Sequence, residues 1–305
     1  MKTKLSVAAM ALLLASCSSN DNDLLPENPV NATPIQVSQS VQGMVKTRAA
    51  VGVGSDVTAT VLVADGSSNN ADVADWANFS PVLANEVTED GGQNKLTTRA
   101  TVSTASFKAG SKAEVSLNPI LYYHTTAGTK SWLAAVAPAG TVNGTTVTIP
   151  QTDGEQDVML ANSTAAGSST STSAPELTFK HLTTQLNFEM KLTSQAGGGE
   201  WAGQTISLKK ISVQKAQVPA EVNVAPTSGE AGVSRWTDAA VMNVAGISSV
   251  ALGADAVRVG NPLMIQASGQ VVIDAVISVG GTDITFSNVT IKKQDNTTNL
   301  STRGR

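Results

Sequence analysis

One cysteine, Cys17, occurs in the whole sequence, so no intramolecular disulfide can form, even in an oxidising compartment that would permit one. Histidine is almost as scarce. His124 and His181 are the two present, and neither has a cysteine or an acid at ligand spacing, so no metal site of three or four ligands is visible. Charged residues make up 14% of the chain, against about a quarter in an ordinary soluble domain. Lysine and arginine do not cluster beyond pairs such as Lys209-Lys210 and Lys292-Lys293, and the net charge is −4. Nothing here attracts nucleic acid or an anionic membrane surface. No G-x-S-x-G elbow occurs, and Gly52-Val53-Gly54 lacks the continuation of a nucleotide loop. These absences point away from an enzyme and imply no cofactor. Past the N-terminal region no apolar run approaches 18 residues, so no spanning helix is expected in the body of the chain.

What is present begins with the first 23 residues. Lys2 and Lys4 form a short basic region, followed by an apolar run from Leu5 to Ala15. That run is shorter than the roughly 20 residues a bilayer requires. Small residues then lead into Cys17, the pattern of a secretory signal rather than a membrane helix. Leu14-Ala15-Ser16-Cys17 resembles the bacterial lipobox, in which the cysteine becomes the acylated first residue of the mature protein. Asp21 and Asp23, just beyond it, resemble the acidic export tag of Bacteroidales surface lipoproteins. Residues 1–16 are therefore expected to be a lipoprotein signal peptide, Cys17 the lipidated residue, and 17–34, with Pro26, Pro29 and Pro34, a flexible tether.

From Cys17 onward the chain is long enough for one large or two ordinary domains. Ser, Thr, Ala, Val and Gly dominate and aromatics are 4%, a composition suited to an extracellular β protein. Period-2 alternation recurs. Ile35, Val37 and Val41 to Val45 suggest a first strand, and Val57 to Val63 a second that ends at an Asp65-Gly66 turn. Leu96 to Val102, Glu114 to Leu117, Trp132 to Val136 and Thr145 to Ile149 follow. Ala165 to Ala174 is low-complexity and reads as a loop or linker, which places a domain boundary near it. Beyond it, Leu182, Leu186, Phe188, Met190 and Leu192 form an inward row. Ile206 to Val213 also alternates, and Gly280-Gly281 joins Val271–Val279 to Ile284–Ile291 as a hairpin. Short strands at this spacing imply an all-β chain of β-sandwiches.

Several stretches in order resemble the fimbrillin family, the subunits of Bacteroidales type V pili. They are the lipobox with its acidic tail, the first strand closing on Lys46-Thr47-Arg48-Ala49, and Gly154 to Ala161 after a Tyr- and Trp-bearing region. Leu177 to Leu182 leading into TTQLNFEM, and Pro262-Leu263-Met264-Ile265 before the final paired strands, complete the match. The resemblance implies two tandem transthyretin-like β-sandwiches, here 35–170 and 171–305. It also implies outer-membrane, cell-surface placement and a structural role in a pilus and in adhesion. Assembly would follow a protease cut at Arg48, giving a new N-terminus at Ala49 and removing the strand Ile35 to Val45. A donor strand from another pilin subunit then fills the groove, head to tail. Arg99 stands in the same Thr-Arg-Ala context, so that tripeptide does not define the site. Related chains continue past the segment matching Ser301 to Arg305, so the C-terminal sandwich is expected to lack its last strand. The alternative reading is a non-polymerising surface lipoprotein that binds glycan or a host protein.

Two further groupings bear on ligands. Asp153-Gly154-Glu155-Gln156-Asp157 places acids close together, but the spacing is not that of an EF-hand, and a solvated turn is expected. Trp76, Trp201 and Trp236 are far apart in sequence, which favours core or edge roles over a sugar platform.

Overall fold

The computed structural model describes residues 28–42, 51–67, 70–110, 113–192 and 201–291. Among these the regular structure is β throughout, apart from one 3-10 turn at Trp76–Asn78. The strands begin with β1 (Ser38–Val41), β2 (Asp56–Ser67), β3 (Asn70–Ala74), β4 (Glu86–Asp90), β5 (Gln93–Thr98), β6 (Val102–Lys108), β7 (Ala113–Glu114) and β8 (Ser116–Asn118). They continue with β9 (Ser131–Ala137), β10 (Thr141–Asn143), β11 (Thr146–Thr148), β12 (Met159–Ser168), β13 (Ser171–Thr172) and β14 (Glu176–His181). The next are β15 (Thr184–Met190), β16 (Ile206–Ala216), β17 (Pro219–Asn223), β18 (Gly232–Trp236) and β19 (Ala240–Asn243). The last are β20 (Val250–Ala251), β21 (Val257–Ile265), β22 (Val271–Val279) and β23 (Thr282–Ile291).

The largest sheet runs β7-β1-β14-β12-β9-β2-β6-β8, with β13 beside β12 and β3 beside β2. Its central strands are covered on both faces. Val61 and Val63 of β2 join Leu133 and Ala135 of β9 in one core, whereas Leu62 and Ala64 join Trp132, Ala134 and Val136 in another. Every residue of β9, SWLAAVA, is buried, because a strand covered on both faces has no wet side to alternate with. The second of these cores is closed by the sheet β10-β11-β17-β18, through Val147, Val222 and Val224. A third core lies between the sheet β19-β16-β22-β23, with β20 beside β16, and the pair β15-β21. The chain is thus an all-β fold of sheets packed face to face.

Several expectations change in detail, among them Glu114 to Leu117, which divides between β7 and β8. β2 does not turn at Asp65-Gly66. It continues to Ser67, with Asp65 paired to Ser131 and held by Arg99. Leu96 to Val102 is not one strand, because Ala100 and Thr101 turn aside to bond Asn85 and Val82 between β5 and β6. Ala165 to Ala174 is not a loop. It forms the end of β12 and all of β13, because small side chains leave the backbone free to pair, Gly167 with Thr172 and Ser168 with Ser171. The buried Tyr123 hydroxyl donates to the carbonyls of Ala166 and Ser173 and fastens this hairpin from below. The inward row expected from Leu182 to Leu192 divides: Leu182 packs on the β9 core and Leu186, Phe188, Met190 and Leu192 on the β16 core. Pairing also crosses residue 170, since β13 and β14 belong to the first sheet and the β17–β18 hairpin pairs with β11.

Candidate functional site: the first strand and its slot

Alternation puts Ile35, Val37, Gln39 and Val41 on one face of the segment that contains β1. The three apolar side chains are 4%, 3% and 7% exposed and sit in the core that holds Leu177, Phe179 and Phe107. The two phenylalanine rings stack with centroids 5.3 Å apart. Fully burying each apolar side chain is worth about 1.5–3 kcal/mol. β1 lies between β14, to which it is parallel from Ser38↔Glu176 to Val41↔Phe179, and β7, to which it is antiparallel over two pairs. The Ile35 N–H donates to Leu121, Ser38 to Pro175 and Gln42 to Phe179, while the Val37 carbonyl accepts from Val115. The Ser38 and Ser40 hydroxyls, on the other face, bond the Pro175 carbonyl and the Glu176 carboxylate.

One member of the inward row is polar. Gln39 is fully buried. Its Nε2 donates to the Lys108 carbonyl at 2.9 Å, and its Oε1 has no partner. A buried amide oxygen without a partner costs about 1–3 kcal/mol, which weakens the strand's hold.

A hydrogen-bonded histidine–aspartate pair stands at one end of the slot. His181, the last residue of β14, bonds through Nδ1 to Oδ2 of Asp157 at 2.7 Å, and the Asp157 side chain is wholly buried. The backbone of Gln42, the residue that follows β1, lies close enough to His181 to favour its protonated form. The bond to Asp157 is the largest influence raising the His181 pKa. Burial opposes it, and the Asp157 charge and the Gln42 backbone add to the rise. At the other end, Asn28 accepts from the Tyr122 hydroxyl, Val30 bonds Asn94, and Asn31 exchanges two bonds with Leu96. The last part of the stretch read as a tether is therefore tied to β5.

Of the residues singled out from sequence, Cys17, Arg48 and Ala49 lie outside the described residues, as do Met44, Val45 and the segment 292–305. Arg99, the second Thr-Arg-Ala arginine, is described, and its side chain is 11% exposed. It pairs with Asp65 at 2.6 Å and donates to the Tyr122 carbonyl at 2.9 Å. Burial lowers its pKa and Asp65 opposes that shift. Asp153 accepts from the Glu155 N–H in a local turn, and Asp157 turns inward to His181 rather than toward the other acids. No group of three or more His, Cys, Asp or Glu able to hold a metal ion occurs among the described residues. Trp76 and Trp201 lie in different cores. No helix of the described residues is long and apolar enough to cross a membrane.

No protein-family model matches the chain, and no curated protein matches it in sequence. Solved structures are similar to it. A candidate cell adhesion protein of Bacteroides ovatus is 17% identical, with 84% of this chain and 86% of that chain covered and a TM-score of 0.42. Another candidate cell adhesion protein, from Parabacteroides distasonis, is 10% identical over 84% of this chain and 79% of that chain, with a TM-score of 0.42. A fimbrial assembly protein of Parabacteroides distasonis is 12% identical over 84% and 87% of the two chains, with a TM-score of 0.32.

Proposed function

We propose that this chain is a structural subunit of a cell-surface pilus, exported as a lipoprotein on Cys17 and assembled by strand exchange after a cut at Arg48. The observation that carries the reading is the state of the first strand. The segment Ile35 to Val41, which contains this short strand, places three buried side chains in a core otherwise built from distant parts of the chain. It precedes the segment that holds Arg48, and its place in the sheet is bounded by strands on both sides. Removing it would leave an apolar groove flanked by two unpaired backbone edges, which an extended strand from another subunit satisfies in hydrogen bonding and in burial together. Arg99, the other arginine in a Thr-Arg-Ala context, is occupied by Asp65 and Tyr122, which argues against a cut there. On this reading the chain divides into an N-terminal sandwich that accepts the strand and a C-terminal sandwich, tethered to the outer membrane by acyl chains until processing. Its partners are other pilin subunits and a ligand on a host or bacterial surface.

The test is intact mass and N-terminal sequencing of the protein recovered from its native cell surface. An N-terminus at Ala49 without lipid is expected. Acylated Cys17 with Arg48 uncut would refute polymerisation by strand exchange.

A further inference from the structure

Three described residues other than glycine adopt a left-handed backbone, and two of them, Lys215 (φ 52°) and Asn288 (φ 56°), line the same cleft of about 600 Å³. Such backbone costs stability and persists where the surroundings enforce it, which makes it a pointer to function. Each residue sits in a bulge. Lys215 falls where the β16–β19 register slips between Val213 and Ala216, and Asn288 where β23 places two residues opposite Asp274 of β22. Asp274 holds the second bulge and orients the edge of the first. Its Oδ1 accepts from the Asn288 N–H at 2.8 Å and its Oδ2 from Gln214 Nε2 at 2.8 Å. Bulges of this kind re-aim side chains beside binding sites. The side chains of Lys215, Asn288 and Gln266, all lining the cleft, make no hydrogen bond or ion pair among the described residues.

We propose that this cleft binds a short saccharide bearing a carboxylate. Lys215 is the one charged side chain lining it, enough for a monoanion and too little for a phosphate dianion. The free amides of Gln266 and Asn288 each offer a donor and an acceptor in one plane, matching vicinal hydroxyl groups. Small apolar side chains such as Ala216, Ala267 and Val272 leave room for the C–H faces of a sugar ring. No aromatic ring lines the cleft, so recognition is by hydrogen bonds and one charge rather than by stacking. The site lies on the β16-β22-β23 sheet, away from β1, and does not depend on strand exchange.

Isothermal titration of the full chain with 3′-sialyllactose, with trigalacturonate and with neutral lactose tests this. Saturable binding of at least one acidic sugar is expected, about tenfold tighter than lactose, the worth of one charge-assisted hydrogen bond. Binding of sialyllactose alone assigns a sialylated glycan, and of trigalacturonate alone a uronate polymer. Lys215→Gly and Asn288→Gly suit the left-handed backbone, so both variants should melt no lower than the wild type while losing most of the binding. No saturable binding of either acid by about 10 mM, a free energy under about 3 kcal/mol, would overturn the proposal. So would equal affinity for lactose, or unchanged binding by Lys215→Gly.

Discussion

Ile35→Ala and Val37→Ala test the slot directly, because both side chains are nearly inaccessible while their neighbours Ser38 and Ser40 face the other way. Ile→Ala at a buried site costs about 2–5 kcal/mol. Val→Ala deletes two carbons, about 1.6 kcal/mol of transfer at ~0.8 per carbon, and the cavity left behind brings it to about 2–3 kcal/mol. The two residues share a strand face, so their effects need not add, but together they approach the ~5–15 kcal/mol that holds a domain folded. Ser40→Ala removes one hydrogen bond at a half-buried site, worth about 1 kcal/mol or less. Urea unfolding followed by tryptophan fluorescence reports on the affected region, since Trp132 lies in the central sheet. The single substitutions should lower the midpoint far more than Ser40→Ala does, and the double variant should unfold the first sheet without added denaturant. If Ile35→Ala and Val37→Ala cost no more than Ser40→Ala, β1 is not part of the core and the slot does not exist.

The His181–Asp157 pair makes stability depend on pH. The folded-state pKa of His181 is raised, so its contribution is full below the ordinary value of about 6.5 and is lost as pH rises through the raised value. The stability difference between wild type and Asp157→Asn should shrink as pH climbs from about 5 to 9, and a difference constant over that range would contradict this. Arg99→Ala leaves Asp65, in a partly buried site, with the Ser131 hydroxyl and with His124 4.0 Å away, and should cost about 1–3 kcal/mol, read as a lowered urea midpoint; a cost under about 0.5 kcal/mol would mean the pair is idle. An arginine-specific protease acting on the folded chain should give no new N-terminus at Ala100, and its appearance before unfolding would contradict the burial of Arg99. Gly167→Ala adds a Cβ 2.3 Å from the Ser171 carbonyl at φ +88°, so it should destabilise the β12–β13 hairpin by at least about 2 kcal/mol, and a neutral melting curve would refute that.

Alternation in the sequence located the strands that face one core and one wet side. Ile206 to Val213 and the Val271–Val279 hairpin appear close to where period 2 puts them. It failed where packing is not one-sided. β9 is apolar at nearly every position because both its faces are covered, and nothing local separates the residues of one core from those of the other. The Ser- and Thr-rich stretch before Pro175 hid a hairpin, because hydrogen bonding to Tyr123 and a left-handed glycine hold it, and neither leaves a hydrophobic signature. At the slot, Ile35, Val37 and Val41 were legible from spacing. The burial of Gln39 was not, since a glutamine in an alternating row reads as a break until its Lys108 partner is seen across the fold. His181 stood out as one of two histidines, but its acid lies 24 residues away and meets it only through the β12–β14 pairing.

The parallel pairing of β1 with β14 also sets an order of events. Ser38 finds Glu176 across about 140 residues of intervening chain, a long loop to close and a slow contact to make. A chain emerging from its N-terminus presents β1 first and its partner edge much later, so β12, β9, β2 and β6 have the opportunity to pair while the place of β1 stands vacant. On the function proposed above, that vacancy has the same topology as the species that a cut at Arg48 and loss of the strand would leave. A sequence that folds through such a vacancy, with its groove briefly open to water, would meet in the proposed strand exchange a condition its folding already imposes.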